Sequence, residues 1–171
     1  MTGLLVRRAT AADFAAVARL TVAAYEADGQ LKGENSYGDV LADVATRSAG
    51  GEMLVAADEA TGELLGSVTF VLPGTPYAEI CGPGEAEFRM LAVDPAAQGR
   101  GAGAALARAC LSRAAELGCS AVVICIRDGF AETARQLYER LGFIRTPERD
   151  WSPMPGVKLL GLRRELPAAT A

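Results

Sequence analysis

The chain has 171 residues, half of them apolar, which is one ordinary domain's length with enough material for a core. It contains no histidine, so histidine general bases, Ser–His and Cys–His nucleophile pairs and histidine metal sites are all excluded. The net charge of −4 is uneven, −8 over residues 1–88 and +4 over residues 89–171, a pattern that expects an anionic ligand against the second half.

The first segment, Leu4 to Arg8, reads as a strand. Thr10 and Asp13 make a capping box ahead of a helix carrying Phe14, Val17, Ala18, Thr21, Ala24 and Tyr25 at helical spacing. Arg7, Arg8, Asp13 and Arg19 interrupt any signal-type apolar run, and no later stretch is long enough to span a bilayer, so a cytoplasmic protein without membrane contact is expected. Residues 26–38 are polar and Gly-rich and read as a loop, and Asp39 to Thr46 as a second short helix. Met53 to Ala57 and Leu64 to Leu72 form a hairpin around a Gly62 turn, and residues 73–84 are a Pro/Gly-rich connection.

Glu87 to Val93 is the next strand, ending at Asp94-Pro95. After it come Gln98-Gly99-Arg100-Gly101-Ala102-Gly103 and a helix to about Leu117. Ala121 to Ile126 is a fully apolar strand, as expected when both faces are covered. Thr133 to Leu141 is a helix stopped by Gly142. Phe143 to Arg145 is a strand, Pro147 to Gly156 a loop with Trp151, Val157 to Arg164 the last strand, and residues 165–171 a frayed tail. The sum is a single α/β (α+β) domain with a core of about residues 4–164. Its sheet is mixed and mostly antiparallel, flanked by helices on both faces, with one βαβ unit. Cys81, Cys110, Cys119 and Cys125 form no C-x-x-C pair, so reduced, mostly buried thiols are expected and no metal site. Two lysines and no basic stripe argue against nucleic acid.

The loop at 98–103 lies between strand and helix, where glycines allow close approach and the helix offers free N–H groups and a positive dipole end. That suits a pyrophosphate. A P-loop is excluded because no Lys-Ser/Thr follows. A Rossmann site is disfavoured because Asp94 to Gln98 separate the strand from the first glycine. A ligand-free turn would waste three glycines in five residues.

Two segments carry a resemblance. Phe88 through Asp94-Pro95 to Gly103 is similar to the strand, V-x-P turn and [QR]-x-x-G-x-[GA] loop of the GNAT superfamily of acyl-CoA-dependent N-acetyltransferases. Ala134-Arg135-Gln136-Leu137-Tyr138-Glu139-Arg140-Leu141-Gly142-Phe143 resembles its A-x-x-L-Y-x-x-x-G-F ending. The resemblance implies a GNAT-like fold, with acetyl-CoA as co-substrate and an amine as acceptor. It implies that backbone groups of Leu91, Ala92 and Val93 pair with the pantetheine arm. It also implies that amides from Gln98, Gly99, Arg100, Gly101, Ala102, Gly103 and Ala104 hold the pyrophosphate, and that a splay between the strands at 87–93 and 121–126 admits the thioester. The family's Asn seven residues before the Tyr is Ala131 here; Thr133 (with Ala134 beside it) or Arg135 would have to stand in. A homodimer is implied in the same way, with an exposed Trp151 and an edge strand at 157–164 as the contact.

Tyr138 is the expected acid for the leaving thiolate, since a free tyrosine titrates near ~10; its plain alternative is a core aromatic. Glu87 is the expected base, placed by alternation on one face with Arg89, Leu91 and Val93. Glu85, a relaying water, or a merely structural Glu87–Arg89 pair are the alternatives. Direct attack in a ternary complex is expected, with Cys125 too enclosed to carry an acyl group. The acceptor is expected over residues 25–39 and 73–85, where Glu26, Asp28, Glu34, Asp39, Glu79 and Glu85 with Tyr25, Tyr37 and Tyr77 suit a cationic amine. A non-catalytic acyl-CoA sensor on the same fold is the competing reading.

Overall fold

A computed structural model describes residues 3–31 and 37–168. The chain runs β1 (Leu4–Arg8), α1 (Phe14–Ala27), α2 (Tyr37–Ala42), α3 (Val44–Gly50), β2 (Glu52–Asp58), β3 (Leu64–Val71), β4 (Glu85–Val93), α4 (Ala102–Glu116), β5 (Ala121–Arg127), α5 (Glu132–Arg140), β6 (Ile144–Arg145), β7 (Trp151–Met154) and β8 (Val157–Glu165). Alternation along β2 decides the layering. Met53, Val55 and Ala57 pack with Val17 and Leu20 of α1 and Val44 of α3. Ala56 points the other way, into a cluster with Leu106 and Cys110 of α4 and Tyr138 of α5. Helices therefore cover both faces of the sheet, as the period-2 pattern requires.

The strand order is β1-β2-β3-β4-β5-β8-β6, with β7 also on β8. Among these pairs only β4–β5 is parallel, the product of the β4–α4–β5 crossover. Its register covers Glu85↔Ala121, Ala86↔Val122 and Glu87↔Val123, and then stops. Beyond Glu87 the two strands part, which opens the expected splay. On its other side, β4 carries one extra residue against β3: Ser67 pairs Ala92 and Thr69 pairs Arg89. Met90 takes the left-handed conformation at φ 55° there, so this is a β-bulge. Gly66 of β3 makes room beside it, since a Cβ would lie 2.7 Å from the Ala92 carbonyl oxygen.

The bulge overturns one expectation. Arg89 and Glu87 turn toward the 77–81 segment, where their side chains bond. Leu91 and Val93 pack into the α4–α5 cluster on the opposite face. Uniform alternation does not carry through Met90, so Glu87 does not share a face with Leu91 and Val93. Three other expectations also change. The second short helix is two helices, because Asp43 leaves helical geometry (ψ 70°) and caps α3 by accepting from the Thr46 amide at 3.3 Å. The 157–164 strand is no free edge: β5 pairs one side of it, and β6 and β7 the other. Trp151 begins β7, is only half exposed, and its indole nitrogen is buried. The dimer contact expected there loses both of its supports. The tail is held at its start, where the Leu166 amide donates to the Ser120 carbonyl at 2.9 Å; residues 169–171 lie outside the described ones.

Candidate active site

The parting of β4 and β5 opens into a cavity of about 670 Å³, well within the range of small-molecule sites. One wall is β4, through Leu91, Ala92 and Val93. The loop contributes Gln98, Gly99, Gly101, Ala102, Gly103 and Ala104. Thr133 and Ala134 of α5 complete that end. Arg100, also assigned to the cofactor, is not part of the cavity wall, and its side chain pairs with Asp58 at 2.6 Å.

The loop is shaped for an anion. Gly99 and Gly101 sit at φ 82° and 83°, which an L-residue resists. A Cβ at either would meet nothing within 4 Å, so it is the backbone conformation and not crowding that calls for glycine there. Gln98 ties the loop to the end of β4 through a 3.4 Å bond from Nε2 to the Val93 carbonyl. Gly101 caps α4, whose fifteen residues aim a positive dipole end and unpaired amides at this place. These residues fit acetyl-CoA: amides for a pyrophosphate at one end, an apolar slot between strands for a thioester at the other.

Tyr138 is held at that inner end by an aromatic cluster, its ring 5.7 Å from Phe88 and 5.8 Å from Phe143. It lines the cavity, and no hydrogen bond to its hydroxyl is seen among the described residues. Burial, reinforced by the Cys110 thiol, raises its pKa above the ordinary tyrosine value, so the O–H persists at neutral pH. Cys125 also lines the cavity, rather than being enclosed in the strand. Burial pushes its thiol up to about 12, with the Trp151 indole opposing, so it stays protonated and is a poor nucleophile for that reason rather than by enclosure.

The carboxylates sort differently from the expectation. Glu87 is fully buried. Its Oε1 accepts three backbone N–H bonds, from Glu79 at 2.9 Å, Ile80 at 3.0 Å and Cys81 at 3.2 Å. It clamps the 79–81 turn and is not part of the cavity wall. The Glu87–Arg89 pair, the structural alternative, does not form either; Arg89 pairs with Glu79 at 2.9 Å and donates to the Tyr77 carbonyl at 3.0 Å. Glu85 is engaged by Arg149 and Arg163. Burial works against its ionisation, but those guanidiniums and the Gly82 amide outweigh it and hold the pKa below the ordinary value. Glu79 does line the cavity, with Tyr25, Tyr37 and Asp28. Burial raises its pKa, Arg89 opposes, and Glu87 adds to the rise. Of the other acids proposed for the acceptor, Glu26 and Asp39 stand outside the wall, and Glu34 lies outside the described residues. In the sequence Glu79 is one of six acids in the acceptor segments and Arg89 only the possible partner of Glu87, and no residue pattern joins the two.

Ala131, at the family's Asn position, caps α5 in the left-handed region at φ 58°. Its amide donates to Asp28 at 2.9 Å. Among the described residues no cluster of metal-ligating side chains occurs, and no helix is long and apolar enough to cross a membrane.

A mixed sheet that splays beside a bulged strand, with an amide loop at one end and a tyrosine at the other, defines an acyl-CoA-dependent transferase. The chain belongs to the acetyltransferase (GNAT) family, whose model matches residues 15–143. It is an acetyl-CoA-dependent N-acetyltransferase by class. Among solved structures it is similar to a related N-acetyltransferase from Kribbella flavida (29% identity, 95% of this chain and 98% of that one, TM-score 0.69). An acetyltransferase from Salmonella typhimurium, solved with its cofactor acetyl-CoA, shares the fold at 21% identity, 98% and 96% coverage and a TM-score of 0.63. So does the ribosomal-protein-alanine N-acetyltransferase from Brucella melitensis, at 20% identity, 95% and 99% coverage and a TM-score of 0.66. A search of curated protein sequences finds no match.

Proposed function

We propose that the protein moves an acetyl group from acetyl-CoA to a primary amine by direct attack of the amine on the thioester. The observation that carries this is the cavity itself, which is lined together by the glycine loop, the strand segment 91–93 and Tyr138. Amides of the loop bind the pyrophosphate, and backbone groups of Leu91 to Val93 hold the arm. A backbone N–H near Leu91, re-aimed by the Met90 bulge, takes the developing negative charge on the thioester oxygen. As the C–N bond forms and the C–S bond breaks, Tyr138 gives its proton to the departing sulfur.

The amine must lose a proton, and with no histidine a carboxylate or water takes it. Glu79 is the carboxylate we assign, because it lines the cavity and burial raises its affinity for a proton. Glu87 supports it indirectly by gripping the backbone of residues 79–81, either as a clamp or through a relaying water. The test is release of free CoA thiol from acetyl-CoA over a panel of primary amines. Release that depends on the amine, and that falls about 100-fold in kcat for Tyr138→Phe, supports the reading. Tight acetyl-CoA binding with no amine-dependent release contradicts it.

A further inference from the structure

Two hydrogen bonds join the sides of the cavity, between residues 103 and 97 positions apart in the chain. The Ala131 amide donates to Asp28 Oδ2 at 2.9 Å, and Arg127 Nη1 donates to the Gln30 carbonyl at 2.6 Å. All four residues line the cavity. Asp28 and Gln30 follow α1, which brings Tyr25 to the wall. Arg127 ends β5 and Ala131 caps α5, which brings Thr133, Ala134 and Tyr138 to it. Between the two bonds the Arg127 guanidinium lies 4.6 Å over the Phe130 ring. The same ring lies beside Gly29, where a Cβ would stand 3.6 Å from it. The junction is therefore packed as well as bonded.

The place of Asp28 suits α5 and not α1. It is the C-terminal cap of α1, where the negative end of the helix disfavours a carboxylate. At the start of α5 the sign reverses, and the same carboxylate accepts from the cap residue's own amide. That residue is Ala131, whose left-handed φ of 58° an alanine resists. Such a backbone persists only where its surroundings hold it, and Asp28 is the side chain that bonds it. The Gln30 side chain steadies the grip by donating to the same Oδ2 at 2.7 Å. The Ala131 carbonyl in turn accepts from the Arg135 amide at 2.8 Å, where α5 begins. Asp28 thus holds the residue from which the first turn of α5 hangs.

We propose that Asp28 is a positioning residue for acetyl-CoA. It fixes the start of α5 from the α1 side of the cavity, and with it Thr133 and Ala134 on the cofactor's wall. The proposal rests on the acetyl-transfer reading of the cavity and adds a residue that reading does not use. Asp28 is one of the acids expected to draw a cationic amine, but its Oδ2 is committed to Ala131 and Gln30. Its loss is therefore felt by the cofactor, although no bond joins the two. The Arg127 bond to Gln30 supports the same junction, so the turn loosens without Asp28 and does not come apart.

The experiment is calorimetric titration with acetyl-CoA, which needs no acceptor. Asp28→Ala should weaken Kd about tenfold, the worth of one hydrogen bond to a charged group. Asp28→Asn keeps an oxygen for the Ala131 amide and should recover most of that loss. Ala131→Asn lets the left-handed turn stand with less help, so in that background Asp28→Ala should cost less than about threefold. That rescue separates holding the turn from a general loosening of the fold. An unchanged Kd in folded Asp28→Ala overturns the proposal, and so does an equal loss in both backgrounds. Hydrogen exchange at the Arg135 amide reads the same hold without ligand. It should quicken about tenfold in Asp28→Ala and slow again when Ala131→Asn is added; an unchanged rate also overturns the proposal. If the unaltered protein binds no acetyl-CoA, the acetyl-transfer reading fails by itself, and the exchange rate alone decides whether Asp28 holds α5.

Discussion

Glu79 meets Arg89 at 2.9 Å on the wall of the cavity, and Glu87 holds the backbone that carries Glu79 by accepting from its amide at 2.9 Å. Burial raises the Glu79 pKa more than the guanidinium lowers it. A base must be deprotonated to act, so activity should rise with pH through a limb above the ordinary glutamate range. Glu79→Gln should lower kcat about 100-fold and remove that limb; the pH profile of kcat/KM checks both.

Glu87 and Glu79 have separable roles. Glu87→Ala deprives three amides of their acceptor and should destabilise the fold by about 3 kcal/mol, read as a lower urea midpoint. Glu87→Gln retains an acceptor oxygen, so it should recover much of the stability and much of the kcat. A base in direct contact with the amine would show no such recovery.

Much of this was legible from residue pattern alone, for reasons particular residues show. The alternation in Met53 to Ala57 requires two covered faces, and Gly99 and Gly101 require a loop with positive φ, so the layers and the anion cradle follow locally. The acceptor end did not follow, because it depends on one extra residue. The bulge at Met90 separates Glu87 and Arg89 from Leu91 and Val93, and no side-chain period records it.

Ala131 carries backbone strain that an asparagine would bear more easily. Its φ of 58° costs an alanine about 1–2 kcal/mol, and Asn is favoured in that region. Ala131→Asn should therefore raise Tm by about 2–4 °C and tighten acetyl-CoA binding. Thermal unfolding and calorimetric titration test the two effects separately.

Three carboxyls set the acid limit of stability. Arg7 holds Asp13, Arg100 holds Asp58 and Arg145 holds Asp150, each at a pKa of about 2 through direct hydrogen bonds. Their folded values lie below the unfolded one of about 3.9, so their contribution is complete above that pH and is lost as pH falls toward 2. Tm should show no loss from these groups above pH 5 and should drop steeply below pH 4. Asp13→Asn should flatten the drop.

The central claim is that acetyl-CoA lies along β4 with its thioester in the β4–β5 splay. A crystal structure of the protein with acetyl-CoA tests it most directly. The account predicts the pyrophosphate on amides of residues 98–104 and the sulfur within hydrogen-bond reach of the Tyr138 hydroxyl. A sulfur remote from Tyr138, or a pyrophosphate held elsewhere than this loop, would contradict it.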